Sequence, residues 1–429
     1  MVTHPFQTSQ THSIQKPESS KGIFGLLVSV FRRQSETDPR LRKAYRQRSR
    51  QRERFSTPLR RTIVHRIEES CKRISVAWVG RRIAPAKISA PIDPASIRSI
   101  LILRNDAIGD MILTTPFWRI LKQQYPHLKI GIVGSFRNLP VIAYDADIDY
   151  RYECTGSAWS QVLRASRETR QKKWDVVLPM IYNKKTKMAI LSKIFAPKAA
   201  ASMVLLRDDP RDRYKQLFSI CISSDWRKER DSILDLMRRH FEGTFKISFS
   251  EDQWRPSLAL DESRLQPMAK ELAGILETDG TRGYVHINLE AKTRFKEYGP
   301  QNTFELSRIL RSRYPDLSII WTTSPVNADT LDTFLGDHTL HGIHFVRTNS
   351  IFELIAIVRG ADLVITPDTS VVHIASAEQR PVVGLYPFRH EWPPFKVPNV
   401  VLVPRKRKPV STIPLPDVLR AVNQLMQAA

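Results

Sequence analysis

Three stretches of the 429-residue sequence combine residue types and spacing that could do chemistry. The first is Arg104-Asn105-Asp106-Ala107-Ile108-Gly109-Asp110-Met111, between an apolar run and a helical pattern. Gly109 lets backbone come close to a ligand, and Asp110 stands at or near a helix N-terminus, where the helix dipole favours a carboxylate. Such a carboxylate has two readings: a cap for the helix, or a general base facing a cleft. The second stretch is Asp368-Thr369-Ser370-Val371-Val372-His373, just after a strand. Short hydroxyls and free N–H groups at a strand-to-helix junction suit a phosphate or pyrophosphate, with His373 one turn further on. An ordinary N-cap beside a packed His is the other reading. The third is Lys292, Arg294 and Lys296, followed by Tyr298 and Pro300. Cations beyond the carboxyl end of a strand can neutralise a diphosphate leaving group, although a lone basic loop is usually only solvated.

Other chemistry is poorly supported. One Gly in the first stretch does not make a GxGxxG dinucleotide fingerprint. Asp145-Ala146-Asp147-Ile148-Asp149 contains a DxD, but in a stretch reading as helix end and connector, and Asp208-Asp209 reads as an exposed loop. No metal is therefore expected in the site. No Ser or Cys nucleophile sits in a strand-turn-helix elbow.

The elements that must position these residues alternate. Ser99–Leu103 is a continuous apolar run, the pattern of a buried parallel strand. A helix is predicted from about Asp110 to Gln124, stopped by Tyr125-Pro126, then strands at Lys129–Val133 and Trp174–Met180 and a helical pattern around Met188–Phe195. The alternation fades between Asp208 and Asp261. It resumes with strands at Tyr284–Leu289, Leu317–Trp321, Ile343–Val346, Asp362–Ile365 and Pro381–Leu385. Strands alternating with helices imply right-handed βαβ units, so an α/β chain with two parallel sheets in series is expected. We divide it into an extension over residues 1–95, a first Rossmann-like domain over 96–260 and a second over 261–429. Ligands in such sheets bind beyond the carboxyl ends of the strands, here in a cleft between the two.

Charge is unevenly spread. The formal net charge is +24, and residues 1–98 hold 21 Lys+Arg against 7 Asp+Glu, a net +14. Residues 1–21 read as a polar tail, Gly22–Phe31 as a ten-residue apolar run without a cleavage site, and 40–61 as a basic block opposed only by Glu53. Ile63, Ile67, Cys71, Ile74 and Trp78 recur at helical spacing, with Arg and Lys largely elsewhere. That helix either packs on the folded body or lies on an anionic membrane surface. Nucleic acid is disfavoured, because no zinc finger, RNP strand or helix-turn-helix signature is present. Three Cys without CxxC spacing exclude a disulfide scaffold and a structural zinc site and fit a reducing compartment. No apolar run approaches the ~20 residues of a membrane-spanning helix, and an apolar fraction of 41% excludes a wholly disordered chain.

Taken in order, the three stretches resemble glycosyltransferase family 9, the heptosyltransferases of lipopolysaccharide inner-core synthesis. Residues 100–116 (ILILRNDAIGDMILTTP) and 118–126 (WRILKQQYP) are similar to the family's opening strand, loop and helix. Lys296-Glu297-Tyr298 is similar to its Lys followed by an aromatic. Residues 362–377 (DLVITPDTSVVHIASA) and 380–387 (RPVVGLYP) resemble its donor-binding strand and helix and the strand after them. The resemblance covers roughly residues 99–429 and implies the GT-B fold, two Rossmann-like doubly wound domains facing a cleft. It implies an inverting transferase that takes heptose from ADP-heptose, a substrate and not a cofactor, without an essential metal. By position, Asp110 would be the base; Lys296, Asp368, Thr369, Ser370 and His373 would hold the donor; Arg104, Asn105 and Gly109 would form the acceptor-side loop. Three places differ from the family's pattern. Ser370 stands where Gly is usual, Tyr386-Pro387-Phe388 replaces a small-residue turn, and Thr322–Asn327 lacks a glycine-rich turn and its acid. The implied partner is an anionic lipid-linked glycan, which places the enzyme at the cytoplasmic face of the membrane with the basic extension against the anionic surface. Transfer of another nucleotide sugar to a different surface glycan, or a non-catalytic GT-B binding protein, are the alternatives.

Overall fold

The computed structural model describes residues 85, 87–155, 158–205, 213–224, 232–323, 341–388, 392–405 and 408–427. The basic block over 40–61, the helix expected over 59–83 and Asp208-Asp209 lie outside the described residues. Both sheets belong to one compact unit.

The first sheet contains β1 (Ser99–Leu103), β2 (Lys129–Gly134), β3 (Tyr150–Glu153), β4 (Val176–Pro179), β5 (Ala200–Leu205) and β6 (Ile220–Ser223). The second contains β7 (Gly283–Asn288), β8 (Leu317–Thr322), β9 (Ile343–Phe345), β10 (Leu363–Pro367), β11 (Val382–Leu385) and β12 (Asn399–Leu402). Every pairing is parallel, in the orders β3-β2-β1-β4-β5-β6 and β12-β11-β10-β7-β8-β9. Both are the doubly wound 3-2-1-4-5-6 arrangement, whose strand order reverses between β1 and β4 and between β7 and β10. The loops leaving those four strands are therefore the ones that bound a ligand crevice. All three chemistry-bearing stretches begin there.

The helices are α1 (Ile108–Gln124), α2 (Trp159–Arg170), α3 (Lys185–Phe195), α4 (Ile233–Thr244), α5 (Glu262–Asp279), α6 (Pro300–Arg313), α7 (Ile351–Gly360), α8 (Ser370–Ala377) and α9 (Leu415–Met426). In β1, Ile100, Leu101 and Ile102 are fully buried, each contributing about 1.5–3 kcal/mol relative to exposure. This is why the run is apolar without alternation. Helix α1 carries Pro116 in its interior. The carbonyl of Ile112, which loses its amide donor to the proline ring, accepts instead from Thr115 Oγ1 at 2.8 Å.

The stretch in which the alternation fades holds a strand and a helix, β6 and α4. Their signals are short. β6 has only four residues, and α4 announces itself chiefly through a capping box in which Ser232 Oγ and the Asp235 carboxylate cap reciprocally. The neighbouring segment is held by aromatic packing: Trp254, 1% exposed, lies 5.2 Å from Phe117 of α1 and 5.9 Å from Phe241 of α4. Strands β3, β5 and β12 also escape the sequence reading; β3 and β12 are four-residue edge strands. Further upstream, Ile92 pairs with Phe245, Ile92 N donating to Thr244 O at 2.8 Å. Residues 88–92 thus lie against β6 and α4.

Candidate active site

The loop between β1 and α1 is organised around Arg104, which is 2% exposed. Its guanidinium turns beneath the loop, Nη1 donating to Met180 O at the end of β4 and Nε to Asp110 O at 3.0 Å. Nη2 lies 3.0 Å from Asp110 Oδ1, and Nε 3.5 Å from Asp106 Oδ1. A buried cation is tolerated only when well paired, and these two carboxylates supply the pairing. Burial opposes the charge on Arg104, but Asp106 and Asp110 outweigh it and hold its pKa above the usual value. Asn105 ties the loop to the end of β3, its Nδ2 donating to Cys154 O at 2.9 Å.

Helix α1 begins at Ile108 with Ala107 as its N-cap and no side-chain cap, so Asp110 sits in the first turn without capping it. Its Oδ1 accepts from Trp392 Nε1 at 3.1 Å, from the opposite half of the molecule. Asp106, beside it, is pushed up to about 6 by burial, against the pull of Arg104 and with the field of Asp110 adding to the rise. A raised carboxyl means that the folded state binds its proton more tightly than the unfolded chain does. The stabilisation from that proton is present at low pH and is lost as pH rises through about 6. The melting temperature of Asp106→Asn should therefore gain on wild type between about pH 5 and about pH 7.5. An equal difference at both values would contradict the assignment.

On the second half, Thr369 is the N-cap of α8, its Oγ1 accepting from Val371 N at 3.3 Å. Asn288, the last residue of β7, holds that turn. Its Nδ2 donates to Thr366 Oγ1 and Thr369 Oγ1, both at 3.2 Å, and to Glu290 O at 3.1 Å. Ser370 opens the helix, half-buried at the cleft wall. Lys296 closes a short 3-10 turn after β7 and places Nζ 2.5 Å from Asp368 Oδ2. Of the third stretch, Lys292 lines the cleft and Arg294 is exposed.

His373 is 5% exposed and lies directly over Gly109. A methyl group at Gly109 would stand 2.3 Å from His373 Cδ2, well inside contact distance. The group that comes close to Gly109 is thus a side chain of the second half, where the sequence suggested a ligand. This contact brings the first turns of α1 and α8 together. Thr369 and Ser370 line the cleft that runs beside this contact, whereas Asp110, Lys296, Asp368 and His373 are not among its lining residues.

Beside that contact runs a cleft of about 750 Å³, a size that suits a nucleotide. Ile108, Phe136, Arg137 and Pro140 line it from the first half. Glu290, Lys292, Thr323, Ile351, Phe352 and Ser370 are among those lining it from the second. Thr323 Oγ1 donates to Glu290 Oε2 at 3.1 Å. Two of the three aspartates of the DxD stretch have structural partners: Asp145 accepts from Trp118 Nε1 at 2.9 Å, and Asp149 pairs with Lys122 and Lys129 at 2.8 Å each. Among the described residues no group of three His, Cys, Asp or Glu is arranged to hold a metal ion.

Sequence reasoning missed Asn288, Glu290 and Trp392. The first two were findable, since they lie at the carboxyl end of β7 beside the switch point. Trp392, 282 residues from Asp110, carried no such signal.

Two doubly wound parallel sheets in series, with helices α1 and α8 meeting beside a cleft, form the GT-B architecture of a glycosyltransferase. The sequence profile of glycosyltransferase family 9 (heptosyltransferase) matches residues 162–408, and the chain belongs to that family. It is similar to the lipopolysaccharide core heptosyltransferase OpsX of Haemophilus influenzae, with 21% identity over 79% of this chain and 95% of the relative. It is also similar to lipopolysaccharide heptosyltransferase 3 of Escherichia coli, with 24% identity over 74% of this chain and 95% of the relative. Among solved structures, a family 9 glycosyltransferase from Veillonella parvula superposes with a TM-score of 0.63 at 17% identity, covering 80% of this chain and all (100%) of the other. The E. coli ADP-heptose lipopolysaccharide heptosyltransferase II gives 0.59 at 16% identity, covering 77% and 99%.

Proposed function

We propose that this glycosyltransferase inverts the anomeric centre as it moves heptose from ADP-heptose to a lipopolysaccharide inner-core acceptor, or to a related surface glycan. The observation that supports the reading is the Gly109–His373 contact, which brings the first turn of the helix carrying Asp110 against the helix that begins at Thr369–Ser370, where Lys296 pairs with Asp368. In the reaction, the acceptor hydroxyl gives its proton to Asp110 while its oxygen forms the new bond to the anomeric carbon. The bond from that carbon to the diphosphate breaks, and its electron pair leaves with the diphosphate. Lys296 and the amides of α8 stabilise the charge that develops there, and no metal is assigned this role. His373 stands at the junction of the two halves, over Gly109. The names of the curated relatives support the choice of heptose and of a lipopolysaccharide acceptor.

The test is a donor screen that measures nucleoside diphosphate release from several nucleotide sugars in the presence of a heptose-deficient lipopolysaccharide acceptor. ADP-heptose should give the fastest acceptor-dependent release. A faster rate with another nucleotide sugar would overturn the donor assignment.

We also place the enzyme at the cytoplasmic face of the membrane, held there peripherally. The acceptor is an anionic lipid, residues 1–98 carry a net +14, and no helix among the described residues is long and apolar enough to cross a membrane. Removing residues 1–84 should abolish cosedimentation with anionic vesicles while leaving a cooperative melting transition. Undiminished binding would refute the role given to the extension.

A further inference from the structure

The two oxygens of Asp110 are not equivalent. Oδ1 is engaged twice, by Arg104 Nη2 at 3.0 Å and by Trp392 Nε1 at 3.1 Å. Among the described residues, no hydrogen bond or ion pair reaches Oδ2. Arg104 belongs to the same loop as Asp110, whereas Trp392 arrives from the donor half, between β11 and β12.

The segment carrying Trp392 is anchored at two points. Tyr386, fully buried at the end of β11, donates its hydroxyl proton to Trp392 O at 2.9 Å. A few residues on, Phe395 N donates to Ser376 Oγ of α8 at 3.0 Å. The indole is therefore tied to the helix that begins with the anion cradle and carries His373. Tyr386 is also the first residue of the turn that departs from the small-residue pattern noted in the sequence.

We propose that Trp392 is a positioning residue for the base. With Arg104, its indole N–H commits Oδ1 and leaves Oδ2 to take the proton of the acceptor hydroxyl, so the carboxylate is fully oriented only when the donor half stands against the acceptor half. The consequence is a coupling between closure and base alignment, which withholds an aligned base from an open cleft. A misdirected base loses rate steeply, because proton transfer needs the accepting oxygen within hydrogen-bond reach of the hydroxyl. The proposal rests on the reading of Asp110 as the base.

The experiment compares wild type with Trp392→Phe and with a variant carrying β-(3-benzothienyl)alanine at position 392. That second side chain has nearly the size and shape of tryptophan but lacks the N–H. For each, kcat is measured with ADP-heptose and a heptose-deficient lipopolysaccharide, and ADP affinity by calorimetry; Asp110→Asn is run in parallel. We expect kcat to fall on the order of 10- to 100-fold in both Trp392 variants, with ADP affinity within about twofold of wild type. Full kcat in the benzothienylalanine variant would show that ring packing suffices and would overturn the proposal, as would a parallel loss of ADP affinity. Should Asp110→Asn keep wild-type kcat, the assignment of the base fails and this proposal falls with it. A dead Asp110→Asn beside a fully active benzothienylalanine variant overturns the role of Trp392 alone.

Discussion

Asp110→Asn is expected to lower the rate of transfer by about 10²- to 10⁴-fold, the range over which a positioned general base acts, while ADP affinity stays within about twofold. Asn is close to isosteric, and its carbonyl oxygen can still accept from Trp392 Nε1, so the cleft should keep its shape. What it cannot do is take a proton at neutral pH or neutralise Arg104. The guanidinium, 2% exposed, would retain only Asp106 among its carboxylate partners. A loss of stability on the order of 1–3 kcal/mol should therefore accompany the loss of rate, visible as a lower melting temperature. Steady-state transfer assays and calorimetry decide the matter. Wild-type turnover in a correctly folded Asp110→Asn protein would exclude the carboxylate as the base.

Lys296→Ala should weaken ADP binding by about 10- to 100-fold, the effect of deleting one charge-assisted contact. The structure adds a second cause. Lys296 lies 2.5 Å from Asp368 Oδ2, just before the N-cap of α8, so removing the cation also leaves a carboxylate that would repel a diphosphate bound at that helix start. The two causes separate by double substitution. Lys296→Ala with Asp368→Asn should recover part of the lost affinity, because the repulsion disappears although the attraction is not restored. Calorimetric titration with ADP reads both variants. Unchanged affinity in Lys296→Ala would remove Lys296 from the diphosphate site, and a double variant no better than the single one would show that repulsion from Asp368 is negligible.

Much of the architecture was legible because buried parallel strands have a strong signature. Ser99–Leu103 reads as one continuous apolar run and is β1, and the runs at 284–289, 317–321 and 362–365 likewise match β7, β8 and β10 within two residues. Apart from β5, a six-residue inner strand, legibility fell where elements are short or at a sheet edge. β3, β6 and β12 have four residues each, too few for periodicity to stand out. Trp254, which anchors the segment after α4, packs against α1 and α4 through aromatic contacts that no local pattern encodes.

The same division runs through the site. The residue types at 104–111, 292–296 and 368–373, and their places after strands, followed from the chain alone, because a switch-point loop follows its strand directly in sequence. The two readings of Asp110, cap or cleft carboxylate, could not be separated locally, since both put an acid in the first turn of a helix. The folded molecule removes the first of them: Ala107 takes the N-cap position, and Asp110 Oδ1 is held by Arg104 and Trp392. Gly109 is similar. The sequence indicates that something must come close to it, and the tertiary structure identifies the His373 ring. By itself, then, the sequence determined the strands, the loops beyond their carboxyl ends and the chemical character of those loops, because these are properties of neighbours along the chain. Which loop meets which, which oxygen of Asp110 is engaged, and that Lys296 is paired with Asp368 were decided by packing between segments 72 to 282 residues apart, through distances that no local pattern records.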